Sequence, residues 1–151
     1  MKFYNREKEL ATLEKVRNMA FSNHSQMLVL TGRRRIGKTS LIFKSCEGSP
    51  TVYLFVSRSN EADLCARFIS EIRQSLDVYI PEIFKFGELF RFLMDLGKRM
   101  KYNLIIDEFQ EFYYINPEIY SLLQDVWDRY RKESHVNLII SGSVYTLMNK
   151  I

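Results

Sequence analysis

Four short runs in this chain are apolar almost from end to end: MLVL (27–30), TVYLFV (51–56), NLIID (103–107) and VNLIIS (136–141). A strand with one wet face alternates apolar and polar residues, whereas a strand covered on both faces has no need to. Between these runs the apolar residues fall at helical spacing. Leu10, Leu13, Val16 and Ala20 mark a helix over 7–21, and Leu64, Phe68, Ile69, Ile72 and Leu76 mark another, with Asn60 as its cap. A shorter helix is expected over 38–45. Leu89, Phe90, Leu93 and Leu96 predict a helix over 87–100, after the interruption at Pro81. Pro117 suits the first turn of a helix reaching about residue 132, and helix formers resume at Val144. Buried strands alternating with helices specify an α/β fold. The expected form is a three-layer α/β/α sandwich on a mainly parallel sheet with right-handed crossovers.

Composition narrows the setting. The 151 residues suffice for one domain with a real core, and 46% hydrophobic with 26% charged residues is the balance of a globular protein. No apolar run approaches the ~20 residues of a membrane span. The start, MKFYNREKEL, carries no apolar signal region, so an unexported, cytoplasmic protein is expected. Cys46 and Cys65 are far apart with no CxxC partner, and His24 and His135 lack ligand spacing. They read as core thiols and ordinary histidines rather than as a metal site. A net charge of +4 is compatible with nucleic acid without demanding it.

The first apolar run ends in TGRRRIGKTS, and Gly32 to Thr39 match G-x-x-x-x-G-K-[ST]. This spacing is that of a phosphate-binding loop. Gly32 and Gly37 permit backbone angles that a Cβ opposes, so successive N–H groups turn toward one anion at a helix N-terminus. Lys38 reaches the β- and γ-phosphates, Thr39 offers its hydroxyl to Mg²⁺, and Arg33, Arg34, Arg35, Ile36 and Ser40 complete the loop. A chance match is expected in roughly one chain of this length in two hundred, and here a strand precedes the motif and a helix follows it. For Arg33, Arg34 and Arg35 two readings stay open: a phosphate or nucleic-acid contact, or a solvated basic loop tip.

The third apolar run ends in two acids, Asp107 and Glu108. The carboxyl ends of parallel strands face the ligand crevice. There Asp107 would hold Mg²⁺ through a water, and Glu108 would act as general base or orient the attacking water. The second acid favours water over a small-molecule acceptor. Gln110 either contacts the γ-phosphate or a neighbouring chain, or is solvated. Phe109, Phe112, Tyr113, Tyr114 and Tyr120 form either a partner or self-association surface, or core packing beneath the sheet edge. At the end of the fourth run, Ser141 or Ser143 would sense the γ-phosphate or bind the attacking water, or Ser143 merely caps a helix. Near the N-terminus, Phe3, Asn5 or Arg6 would cover an adenine, although Asn5 is also a good helix cap.

The combination FYNREKEL, LVLTGRRRIGKTSL, NLIIDEFQEF and NLIISGS resembles the archaeal-type ATPases, AAA+-like P-loop proteins grouped with the STAND signalling ATPases. The resemblance spans essentially the whole chain. It implies ATP and Mg²⁺ as ligands and a five-stranded core ordered 5-1-4-3-2. It makes Gly32–Thr39 the Walker A loop and Asp107–Glu108 the Walker B pair, with Ser141–Ser143 at the sensor-1 position. The NRE of residues 5–7 matches a box near the adenine that usually reads GRE, and the Arg that many STAND members place at sensor 1 is absent. Only four strands are counted. The reading therefore expects the fifth strand, the lid with its sensor-2 residue and any arginine finger beyond Ile151, so that residues 1–151 form the N-terminal portion of a P-loop ATPase domain. Three functions compete: an ATP hydrolase whose isolated fragment turns over poorly, a nucleotide-gated interaction switch, and the ATPase module of a DNA-handling protein. No N-K-x-D base-reading motif favours GTP.

Overall fold

The computed structural model describes residues 6–32 and 37–142, the side chain of Arg6 excepted. Four strands form one sheet: β1 (Gln26–Thr31), β2 (Thr51–Phe55), β3 (Tyr102–Asp107) and β4 (Val136–Gly142). Their spatial order is β1-β4-β3-β2 and every neighbouring pair is parallel. This matches the four corresponding strands of the expected 5-1-4-3-2 order. The register aligns the carboxyl ends, with Thr31 beside Gly142, Leu30 beside Ser141 and Phe55 beside Asp107.

Among the described residues six α-helices cover the sheet: α1 (Arg6–Ser22), α2 (Lys38–Ser45), α3 (Glu61–Leu76), α4 (Phe86–Leu96), α5 (Phe112–Ile115) and α6 (Glu118–Tyr130), with a 3-10 turn at Phe109–Glu111. None of the described helices is long and apolar enough to cross a membrane. After β1 the chain passes through α2 to β2 on the far edge of the sheet, then returns through β3 to β4. The four strands and five helices predicted up to residue 142 are present, with small shifts at their ends, and the helix expected from Val144 lies outside the described residues. The helix expected over 87–100 stops at Leu96, where the Gly97 carbonyl accepts the His135 N–H at 2.8 Å instead of continuing the helical ladder. A Cβ on Gly97 would collide with the Ser134 Oγ and meet the Val136 Cγ2 at 2.5 Å. Here the glycine supplies room rather than an unusual backbone angle.

The period-2 geometry of strands divides the core. Val52, Leu54, Leu104, Ile106, Val136, Leu138 and Ile140 face α3, α4, α5 and α6, where Phe68, Phe86, Phe90, Phe112 and Trp127 fill a broad hydrophobic layer. The alternate residues face α1 and α2. There Ile105 and Ile139 meet Ile42 and Cys46, with Leu30 and Tyr53 at the margin. This second layer is the smaller, with Leu13, Ala20 and Leu41 also buried on α1 and α2, and polar groups stand at both of its ends. At the amino end of the strands, Asn137 donates to Asn103 Oδ1 at 2.9 Å, and Asn103 donates to the Ser49 and Thr51 hydroxyls. At the carboxyl end stand Asp107 and Ser141. Burial raises the pKa of Cys46, and raises that of Cys65 to about 12, so both are buried free thiols rather than nucleophiles.

Side chains that cap helices also join them. Asn60 accepts the Asp63 N–H at 2.8 Å as the cap of α3. Glu61 accepts the Phe86 N–H at 2.8 Å and the Asn116 amide at 3.0 Å, so one carboxylate ties the starts of α3, α4 and α6. Pro117 occupies the N-cap position of α6, while the Asn116 Oδ1 accepts the Glu118 N–H at 3.1 Å. On the other face, the Arg17 guanidinium of α1 donates to the Ser45 carbonyl at the end of α2.

Candidate nucleotide site

The two glycines of the loop adopt the backbone that the motif demands. Gly32 has φ 146° and Gly37 has φ 75°, ψ 15°, both in the region that favours glycine. Gly37 stands directly before α2, whose first turn closes with the Leu41 N–H on the Gly37 carbonyl at 3.0 Å. Lys38 is buried and its Nζ donates to the Gly142 carbonyl at 2.8 Å, which places the cation at the carboxyl end of β4. Thr39 is half-buried on the first turn of α2. Ser40 is exposed and lines a groove with Glu7, Leu10 and Lys44. Asn5, the Arg6 side chain, Arg33, Arg34, Arg35, Ile36 and Ser143 lie outside the described residues.

Asp107 ends β3 on the α1/α2 face. Its Oδ1 accepts the Glu108 N–H at 2.9 Å and its Oδ2 accepts the Tyr53 hydroxyl at 2.5 Å. Glu108 is buried and left-handed, with φ 55° and ψ 43°. A non-glycine residue held this way costs on the order of 1–3 kcal/mol and persists only where its surroundings over-determine it. Two contacts do so. The Glu108 carbonyl accepts the Glu111 N–H at 3.0 Å, and the Glu108 Oε2 accepts the Gln110 amide at 2.5 Å. The turn breaks the strand's alternation, so Glu108 is not forced onto the face opposite Asp107.

Gln110 is buried, which removes the solvated reading. Its Nε2 holds Glu108, and its Oε1 finds no partner among the described residues. The aromatic stretch divides. Phe109 and Phe112 are fully buried and pack edge-to-face at 5.3 Å, and Tyr120 donates to the Gln110 carbonyl at 3.0 Å. Tyr113 and Tyr114 are exposed, with the Arg58 guanidinium 3.9 Å above the Tyr114 ring and 2.6 Å from Glu111. Ser141, on β4 next to β3, is buried and its hydroxyl has no partner among the described residues.

A lysine ammonium, an acid pair and an orphaned hydroxyl thus meet at the carboxyl ends of adjacent strands, beside a glycine-started helix. These are the kinds of group that a phosphorylated ligand with a divalent cation would need. The sequence motifs located each of these residues. They did not reveal Tyr53, which a bare strand pattern gives no reason to single out, nor the left-handed turn at Glu108.

The fold is that of the P-loop ATPases. The chain belongs to the family of ATPase domains found predominantly in Archaea, whose family model matches residues 3–151. An uncharacterized protein of Methanocaldococcus jannaschii is 32% identical over 148 residues, covering 98% of this chain and 31% of that protein. The chain therefore spans about a third of that relative's length. Among solved structures, Cdc6p of Pyrobaculum aerophilum superposes with a TM-score of 0.70 at 22% identity, over 100% of this chain and 42% of that one. A Walker-type ATPase of Pyrococcus abyssi gives 0.69 at 21%, over 97% and 47%. The ORC2 protein of Aeropyrum pernix, solved in ADPNP-ADP complexes, gives 0.67 at 18%, over 99% and 44%. At these identities the structures share the fold.

Proposed function

We propose that this chain is the nucleotide-binding portion of an ATP hydrolase. The supporting observation is the alignment of Lys38, Asp107, Glu108 and Ser141 at the carboxyl ends of β3 and β4 and the start of α2. The loop from Gly32 to Thr39 is the Walker A loop and cradles the β-phosphate, while Lys38 exchanges the Gly142 carbonyl for phosphate oxygens. Asp107 and Glu108 are the Walker B pair. Magnesium, when bound, would supply positive charge at the β- and γ-phosphate oxygens. Glu108 accepts a hydrogen bond from the attacking water and directs it at the γ-phosphate, and Ser141 holds an equatorial oxygen. Gln110 keeps the Glu108 carboxylate in place until that water arrives.

Residues 1–151 form the N-terminal portion of the ATPase domain in this reading. The outer edge of β1 pairs with nothing among the described residues, and Val29 on it is 42% exposed. A fifth strand would dock there. The lid and any arginine finger would belong to the same missing part, and a finger contributes about 10³–10⁵ in rate.

Calorimetric titration with MgATP tests the proposal. Wild type should bind, and Lys38→Ala should lose binding while remaining folded. A folded wild type that takes up no nucleotide counts against it. A second reading, a nucleotide-gated interaction switch, draws on the exposed Tyr113–Tyr114–Arg58 patch directly after the acid pair. In the longer protein, Glu108→Gln separates the two. A switch keeps its partner binding in the ATP-locked variant, and a turnover-driven machine loses its output.

A further inference from the structure

Tyr53 belongs to none of the motifs that mark the site, yet its hydroxyl reaches the middle of it. The residue sits at the centre of β2 and donates to the Asp107 Oδ2 at 2.5 Å across a sequence separation of 54 residues. Its ring rests against Phe43 of α2, with centroids 5.0 Å apart. Tyr53 therefore stands between the helix that begins at the phosphate loop and the carboxylate that ends β3. The other Asp107 oxygen is held by the Glu108 N–H at 2.9 Å. A carboxylate held through one oxygen can still turn about its Cβ–Cγ bond. Held through both, it turns only by breaking a hydrogen bond. An ionised carboxylate has about four acceptor directions, so these two bonds fix its plane and leave acceptor capacity for a cation or its water.

We propose that Tyr53 is a positioning residue for the divalent cation: by holding the Asp107 Oδ2 it presets the carboxylate that binds magnesium with the nucleotide. The inference rests on the nucleotide reading above. Packing does not require the hydroxyl, because a phenylalanine ring would meet Phe43 equally well. Its chemistry is that of an outer partner that orients a metal-binding carboxylate.

Titrations of the chain with ATP in EDTA and with MgATP, on wild type and Tyr53→Phe, test it. The variant keeps the ring, and its thermal melt without nucleotide should match wild type. Metal-free ATP should bind both proteins alike. The affinity gained on adding magnesium should fall roughly tenfold or more in Tyr53→Phe, as for other lost partners of metal ligands. Phe43→Leu, which keeps the hydroxyl but loosens the ring, should reduce that gain by a smaller factor. An undiminished magnesium gain in Tyr53→Phe overturns the inference. So does an equal loss with and without magnesium, which is the signature of a packing role. A wild type that binds ATP equally with and without magnesium also overturns it while leaving nucleotide binding intact. A wild type that binds no ATP removes the nucleotide reading and this inference together.

Discussion

The two faces of the sheet are built differently. Toward α3, α4, α5 and α6 lies a broad layer with five buried phenylalanines and a tryptophan, cross-linked at its rim by Glu61. Toward α1 and α2 the apolar contact is narrower, around Ile42, Cys46, Ile105 and Ile139, with hydrogen-bonding groups above and below. The same strands supply both faces, so alternation alone puts Leu104 and Ile106 on one side and Asn103, Ile105 and Asp107 on the other. The broad face holds the sheet together. In the proposed reading the narrow face holds the chemistry, since polar groups that must meet a ligand cannot also be filled in with apolar side chains.

The largest effect that could break this comparison is Phe86→Ala. Phe86 is fully buried, with ring centroids 4.7 Å from Phe112 and 5.6 Å from Phe68. Its loss should cost about 3–5 kcal/mol in denaturant unfolding, and a small cost would mean that the broad face does not dominate. Next comes ligand. If MgATP completes the narrow face, it should stabilise wild type by about 2.7 kcal/mol at about a hundredfold excess over Kd. Lys38→Ala should show no such gain in the same melts. Ile42→Ala, the matching truncation on the narrow face, should cost about 2 kcal/mol, the low end for such changes, because a thin layer can relax around the gap. An Ile42→Ala cost equal to that of Phe86→Ala would erase the asymmetry. The smallest effect is a gain. Asp77 closes α3 with φ 53°, so Asp77→Gly should add roughly 0.5 kcal/mol by relieving left-handed strain. That gain should add to the ligand effect without coupling to it, because the cap sits at the end of α3 on the broad face.

Much of this was legible in the chain itself. Unbroken apolar runs identify strands buried on both sides, and 3.6-residue spacing identifies their covering helices, because both periods are local consequences of backbone geometry. The GxxxxGKT loop located the glycines that adopt φ 146° and φ 75°, and the acid pair at the end of NLIID located Asp107 and Glu108. Local sequence did not reveal how the aromatic stretch would divide: neighbouring residues Phe112 and Tyr113 have opposite fates. Nor did it reveal that Gln110 would be buried on Glu108 instead of meeting solvent.

What the sequence determined by itself is therefore the class of fold, the family and the chemical types gathered at one end of the sheet. These depend on spacing within single elements and on short motifs. Tertiary structure decided which groups hold one another: Tyr53 on Asp107, Lys38 on Gly142, and Asn137 on Asn103. Those contacts join residues 34 to 104 positions apart. They exist only once the crossovers have set the strand order β1-β4-β3-β2 and its register. A shift of one residue in that register would turn Asp107 and Asn103 to the broad face.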